Sequence, residues 1–165
     1  MKPFKKFLNE EKKFDSVGIL LYSDSKFFVV HPTNPLSYKS IQGVGGRIDC
    51  DFLQLTVHQW SIPKGAPESN EEPYETARRE FEEETGTRLP NVPFEKDLGT
   101  VQYRSGKVVR AFLMKGTGSE KFIKSNLITG NYLRGLPEND AGGWFDKFHL
   151  ETMMHPDQLK FLDRI

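Results

Sequence analysis

The sequence predicts an α/β protein in which a mixed β-sheet carries packed helices. Apolar runs of strand length surround one clear amphipathic helix, and the predicted order of elements is β-β-β-α-β-β-β-α. The chain has 165 residues, which is the length of one domain, and we take residues 1–165 as that domain. Its 13 phenylalanines supply enough apolar surface to exclude disorder as the main state.

Three strands are predicted before the helix. Residues 16–22 are an apolar run rich in strand formers, and residues 27–30 follow a polar turn, so the two form a hairpin. Residues 31–50 contain two prolines and three glycines without helical periodicity, which predicts an irregular loop. Residues 52–62 alternate loosely and predict the third strand, which ends just before Gly65.

Residues 72–85 form the clearest helix. Glu72 and Pro73 suit its first turn, because proline loses no hydrogen bond there and a carboxylate meets the positive end of the helix dipole. Gly86 follows as a left-handed C-cap. The side chains expected to be buried recur every three or four residues: Tyr74, Ala77, Phe81 and Thr85.

The second half of the chain returns to strands. Residues 98–103 and 107–114 flank a turn that contains glycine and predict another hairpin. Residues 115–141 are expected to be mostly loop, and residues 142–145 to be a short last strand. Apolar residues at helical spacing predict an amphipathic helix over residues 156–165.

Composition and charge exclude several classes of function. The single Cys50 rules out a disulfide framework or a zinc site built on several thiolates, and it fits a reducing compartment. No run approaches the roughly 18 apolar residues that span a bilayer, and the lysine-rich residues 1–13 lack the apolar stretch of a secretory signal. The formal net charge is +0, which argues against a stable nucleic-acid complex. We therefore expect a cytoplasmic protein without a membrane partner, and both a monomer and a homodimer remain open.

The charges are nevertheless unevenly distributed. Residues 65–87 contain eight glutamates and only two arginines. On a helical wheel at about 100° per residue, Glu80, Glu83 and Glu84 share one face. Such carboxylates repel each other unless a cation neutralises them, and Mg²⁺ or Mn²⁺ prefers oxygen ligands. A glutamate-rich helix is, however, more often simply a solvated surface.

The spacing of the residues around these glutamates favours a metal site over a solvated surface. Gly65 is followed after five residues by Glu71, and seven further residues lead to residues 79–87, Arg-Glu-Phe-Glu-Glu-Glu-Thr-Gly-Thr. This pattern resembles the Nudix box, in which a bulky aliphatic residue is usual where Phe81 and Thr87 stand here. Residues 60–65, Trp-Ser-Ile-Pro-Lys-Gly, also resemble the strand that enters the box in a group of small bacterial MutT-like predicted NTP pyrophosphohydrolases.

The resemblance implies a fold, a reaction and several residue roles. The expected fold is the Nudix-type α/β/α sandwich with a mixed sheet and the Nudix loop-helix. The expected reaction is hydrolysis of a pyrophosphate bond in a nucleoside diphosphate linked to another group, with Mg²⁺ or Mn²⁺ as cofactor. Arg79 would pair with Glu71 and fix the loop against the helix. The implied metal ligands, matched by position, are Gly65, Glu80, Glu83 and Glu84.

Further roles remain open at this point. The candidates for the catalytic base are Glu80 and Glu83 inside the box, with Glu138 and Asp140 outside it. Substrate phosphates could be bound by basic residues beside the box or on the second predicted hairpin, although basic residues on a hairpin often have no such role. The candidates for phosphate contacts are Lys64, Arg104 and Arg110.

The substrate and the alternative function are also open. Dinucleoside polyphosphates and (d)NTPs lead, because of the group that the chain resembles, while nucleotide sugars, ADP-ribose and diphosphoinositol phosphates remain possible. The alternative is a catalytically silent Nudix-like module that senses a nucleotide, and the intact carboxylate trio argues against it. The long connection at residues 31–56 predicts a binding loop at the mouth of the site.

Overall fold

The computed structural model describes residues 14–33, 59–130 and 134–165. Within these ranges the chain forms a six-stranded sheet with helices on both faces, so the predicted fold class is confirmed. The strands are β1 Ser16–Ser23, β2 Lys26–Pro32, β3 Lys64–Gly65, β4 Lys96–Gln102, β5 Val108–Lys115 and β6 Asn139–Asp146. The helices are α1 Pro73–Thr85, α2 Lys147–Met153 and α3 Leu159–Leu162, and a 3₁₀ turn, Pro156–Gln158, precedes α3. None of these helices has the length and apolarity needed to cross a membrane.

The sheet is mixed, and β1 lies at its centre. The strand order is β4-β5-β1-β2-β6, and β3 pairs with the first half of β1. Among the described strands, the β1–β5 pair is parallel and the other pairs are antiparallel. Val17 of β1 pairs with Gly65, whereas Leu21 further along pairs with Phe28 of β2. The short strand β3 therefore brings Gly65 to the middle of the sheet.

Alternating side chains fill one apolar layer on each face of the sheet. On one face, Ile19 and Phe28 pack with Ala77 and Phe81 of α1. Burial of a side chain such as Phe81 contributes about 1.5–3 kcal/mol. The opposite face packs against the C-terminal helices through a second cluster that includes Leu20, Val29, Trp60, Leu150 and Phe161. The sheet is thus sandwiched between α1 and the C-terminal helices.

Most of the predicted elements are present at nearly the predicted positions. Both hairpins and α1 form as expected, and Gly86 ends α1 with a φ of 74° while its N–H donates to the carbonyl of Glu82 at 2.8 Å. The last strand, β6, is longer than predicted. Of the predicted strand at residues 52–62, the part up to residue 58 lies outside the described residues. Trp60 and Ser61 form only isolated bridges.

The C-terminal segment corrects the prediction of one helix over residues 156–165. The side chain of Gln158 is buried, where it accepts a hydrogen bond from the Ile62 N–H at 2.9 Å and donates to Ser61 Oγ at 2.8 Å. These hydrogen bonds hold the 3₁₀ turn before α3 against the chain at Ser61 and Ile62.

Helix α2 was not predicted. Its N-cap is Asp146, whose carboxylate accepts a hydrogen bond from the His149 N–H at 2.9 Å.

Candidate active site

The end of β3 and one face of α1 meet at the centre of the candidate site. Gly65 carries no side chain at a point where the carboxylate of Glu80 lies against the backbone. A Cβ atom on Gly65 would lie 2.1 Å from Cδ of Glu80. Next to it, the Lys64 N–H donates to Oε2 of Glu84 at 2.7 Å. These two contacts hold the strand end against the carboxylate face of the helix.

Arg79 organises the loop between β3 and α1. Its Nε and Nη2 donate to Glu71 at 2.8 and 3.1 Å, which forms a bidentate pair, and Nη2 also donates to the Ala66 carbonyl at 3.1 Å. The remaining nitrogen, Nη1, donates to Glu80 at 2.9 Å and to Glu83 at 3.1 Å. Hydrogen bonding to Arg79 lowers the pKa of Glu71 to about 2. One guanidinium therefore fixes the loop and partly neutralises two carboxylates.

The three carboxylates on the face of α1 differ in their exposure. Glu84 is buried, Glu80 is mostly buried, and the side chain of Glu83 is 42% exposed. Burial raises the pKa of Glu84 well above its ordinary value, with repulsion from Glu80 adding to the effect and Lys64 opposing it. Burial also raises the pKa of Glu80, against the attraction of Arg79. Additional positive charge would therefore stabilise the ionised form of this face.

A cleft of about 430 Å³ opens beside the carboxylate face. We call it the box cleft. Its polar lining comes from several separate segments and includes Ser16, Ser61, Lys64, Glu84, Lys107, Glu138 and Asn139. Burial, followed by repulsion from Lys107, lowers the pKa of Lys64. The cleft thus brings two lysines and two carboxylates together in a partly desolvated space.

A series of backbone hydrogen bonds places Glu138 in this cleft. The Asn126 N–H donates to the carbonyl of Glu83 at 2.9 Å, and the Glu138 N–H donates in turn to the carbonyl of Asn126 at 2.9 Å. On the other side, the Thr33 N–H donates to the carbonyl of Glu138 at 2.9 Å. Glu138 is therefore anchored to the end of α1 and to the chain that follows β2.

Asp140, the other acidic residue before the last strand, has a different environment. Its side chain is 2% exposed, and its Oδ1 lies 2.5 Å from Nδ1 of His31. His31 is also buried, in contact with the ring of Trp60. Asp140 therefore joins β6 to β2 inside the protein and does not line the box cleft, which distinguishes it from Glu138 as a candidate base.

The similarity to known proteins agrees with this geometry. Residues 12–164 match the family model of the NUDIX domain. The chain belongs to the Nudix family. This membership confirms the prediction of a Nudix hydrolase. The residues whose spacing resembles the Nudix box, 65–87, form the loop before α1 and α1 itself.

Known relatives of this Nudix chain include two curated proteins and one solved structure. A 17.7 kDa uncharacterized protein in the e-segB intergenic region of Enterobacteria phage T4 is 39% identical over 117 residues, covering 67% of this chain and 77% of the relative. An RNA pyrophosphohydrolase of Bartonella henselae is 55% identical over 111 residues, and the match covers 58% of this chain and 60% of that protein. The structure of a C. elegans Ap4A hydrolase binary complex aligns with a TM-score of 0.57 at 17% identity and covers 90% of this chain and 93% of that one. The last match bears on the fold alone.

The basic residues predicted to bind substrate occupy three different places. Lys64 lines the box cleft, whereas Arg104 lines a neighbouring cavity at the turn between β4 and β5. Arg110 donates to Asp97 at 2.5 Å and lies over the ring of Phe112, and it is not among the described residues that line the box cleft. Lys107, which was not singled out as a site residue, does line it. The register of the β4–β5 hairpin decides which basic side chain reaches the cleft.

The binding loop predicted at residues 31–56 cannot be placed against the site, because residues 34–58 lie outside the described ranges.

The oxygen donors at the box suit a hard divalent cation. Three carboxylates and the main-chain oxygen of Gly65 are the ligand types that Mg²⁺ and Mn²⁺ prefer. In the described parts of the chain, however, no three His, Cys, Asp or Glu side chains are arranged to hold a metal ion. Nη1 of Arg79 is bonded to two of the three carboxylates, Glu80 and Glu83. The donor chemistry fits the metal, and an ion would replace this nitrogen at two of the carboxylates.

Proposed function

We propose that this Nudix hydrolase cleaves a pyrophosphate bond in a nucleoside diphosphate linked to another group, with Mg²⁺ or Mn²⁺ as cofactor. The observation that carries the proposal is the pairing of charges in the box cleft, where Glu84 and Glu138 lie with Lys64 and Lys107. A metal-bound polyphosphate matches this arrangement, since carboxylates bind the cation and ammonium groups bind phosphate oxygens. The name of the Bartonella relative, RNA pyrophosphohydrolase, supports cleavage of a phosphate anhydride.

The metal would be held by the carboxylate face of α1 together with the main chain at Gly65. When bound, the ion would screen the phosphate charges and make water a better nucleophile. Glu80, Glu83 and Glu84 supply the negative charge for that ion, and burial of Glu84 makes its ionised form costly until a cation arrives. Arg79 can release Nη1 while Nε and Nη2 keep the pair with Glu71, so the loop would stay in place.

The remaining residues would bind phosphate and accept a proton. Hydrolysis forms a bond from a water oxygen to phosphorus and breaks the bridging P–O bond, and the proton lost by the water must reach a base. Glu80, Glu83 and Glu138 are the candidates for this base, because each carboxylate belongs to the box or to the cleft beside it. Lys64 and Lys107 would contact the phosphates.

The leading substrates are dinucleoside polyphosphates and (d)NTPs. Both carry several phosphates in a row, which suits two lysines lying in one cleft. Arg104 lines the neighbouring cavity at the β4–β5 turn. Arg110 would have to break its pair with Asp97 before it could contact a phosphate.

The test is a nucleotide panel combined with a matched pair of glutamate variants. Purified protein is incubated with NTPs, dinucleoside polyphosphates and 5′-triphosphorylated RNA, in Mg²⁺, Mn²⁺ or EDTA, and products are identified by anion-exchange chromatography. We expect Glu84→Gln to lower kcat/KM on the best substrate by about 10²-fold or more, because it removes a charge from the metal site. Glu75→Gln, at an exposed position on the same helix, should change it less than about twofold.

The possible results separate the two functions. Near-normal turnover by a folded Glu84→Gln protein would contradict the metal-site assignment. Tight binding of a nucleotide by the wild-type protein without any turnover would support the silent sensor instead.

A further inference from the structure

A second cavity, of about 330 Å³, lies at the turn between β4 and β5. We call it the stacking cavity. Its walls come from that turn and from the segment that precedes α3, and they include Tyr103, Arg104, Ser105, His155 and Asp157. Neither the Nudix box nor the carboxylate face of α1 contributes to it.

Two aromatic rings are already stacked in the wall of this cavity. The rings of Tyr103 and His155 have centroids 4.1 Å apart and an interplanar angle of 18°. Tyr103 is held in place because the Gln158 amide donates to its hydroxyl at 2.6 Å. His155 is held because its Nδ1 accepts from the Asp157 N–H at 3.2 Å. Such a fixed, flat pair can be extended by another planar ring, and bases bind to aromatic side chains in this way.

The imidazole of His155 is suited to stacking more than to pairing with an anion. Burial lowers the pKa of His155, and the positive charges of Lys64 and Lys107 lower it further, while Asp157 opposes them. The neutral form of the ring is therefore favoured. With Nδ1 accepting a hydrogen bond, its proton is on Nε2.

The polar groups of the cavity combine both signs of charge. Arg104 is exposed at the turn, and its side chain can reach a phosphate. Asp157 contributes a carboxylate, which would repel a bare phosphate but accepts hydrogen bonds from hydroxyl groups. A nucleoside phosphate has one group for each feature of the cavity: a flat base for the stacked rings, a ribose diol for Asp157 and an anionic phosphate for Arg104.

The stacking cavity adjoins the box cleft. Lys107, in the cleft, lies on the same turn as Arg104, and its carbonyl accepts from the Tyr103 N–H at 2.7 Å. Gln158 bonds both to Tyr103 beside the cavity and to Ser61, which lines the cleft. One substrate could thus occupy both spaces.

We propose that the stacking cavity binds the nucleoside of the substrate, with its base on the Tyr103–His155 pair, its ribose facing Asp157 and an adjoining phosphate near Arg104. This inference rests on the proposed function and makes it more specific. It requires a substrate that carries a nucleoside, and so it excludes diphosphoinositol phosphates as the preferred class.

The experiment compares two substrates that differ only in the nucleoside: ATP and inorganic tripolyphosphate, both with Mg²⁺. The variants are Arg104→Ala and His155→Leu, and the control is Arg88→Ala, an exposed arginine outside both cavities. We expect His155→Leu to lower kcat/KM for ATP by about tenfold, mainly through KM, because a stacking contact is lost, while turnover of tripolyphosphate changes less than about twofold. Arg104→Ala should lower kcat/KM for both substrates, because both carry phosphates, and Arg88→Ala should leave both unaffected.

A binding measurement separates this proposal from the proposed function. AMP is titrated into wild-type protein in EDTA while the ring signals of His155 and Tyr103 are followed by NMR. Shifts in these signals that Arg104→Ala weakens would support the subsite even if the protein hydrolyses neither substrate, a result that would contradict only the proposed function. Unmoved ring signals, or equal losses on ATP and tripolyphosphate with His155→Leu, would overturn the subsite.

Discussion

Arg79 shows how much of this site depends on one side chain. Two nitrogens of its planar guanidinium group donate hydrogen bonds to Glu71, and the third donates to Glu80 and Glu83. A lysine could not make this arrangement, because its ammonium group cannot form the parallel pair of hydrogen bonds. The resemblance to the Nudix box implied the pairing of Glu71 with Arg79, and the structure contains it. The additional bonds to Glu80 and Glu83 could not be predicted, since they depend on side-chain conformations within the folded site.

The pair between Glu71 and Arg79 predicts a specific dependence of stability on pH. The pKa of Glu71 falls from 4.5 to about 2 on folding. Its carboxylate therefore stabilises the folded state fully above pH 4.5, and this contribution is lost as the pH falls toward 2. We expect Glu71→Gln to lower the free energy of unfolding in urea at about pH 6 and to differ less from the wild type at about pH 3. Glu75→Gln serves as the exposed control, and a Glu71→Gln deficit of equal size at both pH values would contradict the assignment.

At the scale of elements, the junction of β3 with α1 determines where the carboxylates lie. The apolar stripe of α1 was predictable from its periodicity, and Ala77, Phe81 and Thr85 are indeed buried. The helical wheel placed Glu84 beside Glu80. It could not show that Glu84 is buried beneath β3 and accepts a hydrogen bond from the Lys64 N–H. That burial comes from the packing of β3 on the helix, which periodicity does not encode.

The close contact at Gly65 gives a prediction for this junction. In Gly65→Ala the new methyl group would overlap the carboxylate of Glu80, so either the strand or the side chain must move. We expect a loss of about 1–3 kcal/mol in the free energy of unfolding, the usual cost of overpacking, together with reduced turnover. Gly130→Ala is the matched control, because a Cβ at that position meets no atom within 4 Å. Equal stability of the two variants in urea unfolding would show that Glu80 does not require the glycine.

The C-terminal elements illustrate why some structure was missed. Residues 156–165 have helical spacing, but the first turn is a 3₁₀ turn and α3 ends at Leu162. Within this segment, buried Gln158 bonds to Ser61, Ile62 and Tyr103. These partners are distant in sequence, so no local pattern could indicate them. Helix α2 had a local signal in its N-cap, Asp146, but it is only seven residues long, and its apolar residues are too few to define a stripe.

At the scale of the whole molecule, the sandwich brings separated segments to one cleft. β1 supplies Ser16, the β4–β5 turn supplies Lys107, and the chain before β6 supplies Glu138. The spacing of the motif predicted the Nudix box, and the resemblance to the family implied the sandwich. The partners of the box were harder to predict, because strand order and hairpin register decide which distant side chains reach it. Glu138 was among the candidates from sequence. Lys107 belonged to the basic residues of the predicted hairpin but was not chosen as a site residue, and the cavity at Tyr103 and His155 emerges only from the fold.

Under the proposed function, the box cleft adds water to a phosphate anhydride with the help of a divalent ion held by the carboxylate face. The most direct test is hydrolysis of the best nucleotide substrate in ¹⁸O-labelled water with Mg²⁺, followed by mass spectrometry of both products. We predict one ¹⁸O atom in one of the two phosphate products, no reaction in EDTA, and almost none with Glu84→Gln. Unlabelled products, or labelling that continues undiminished in EDTA or with Glu84→Gln, would contradict the account.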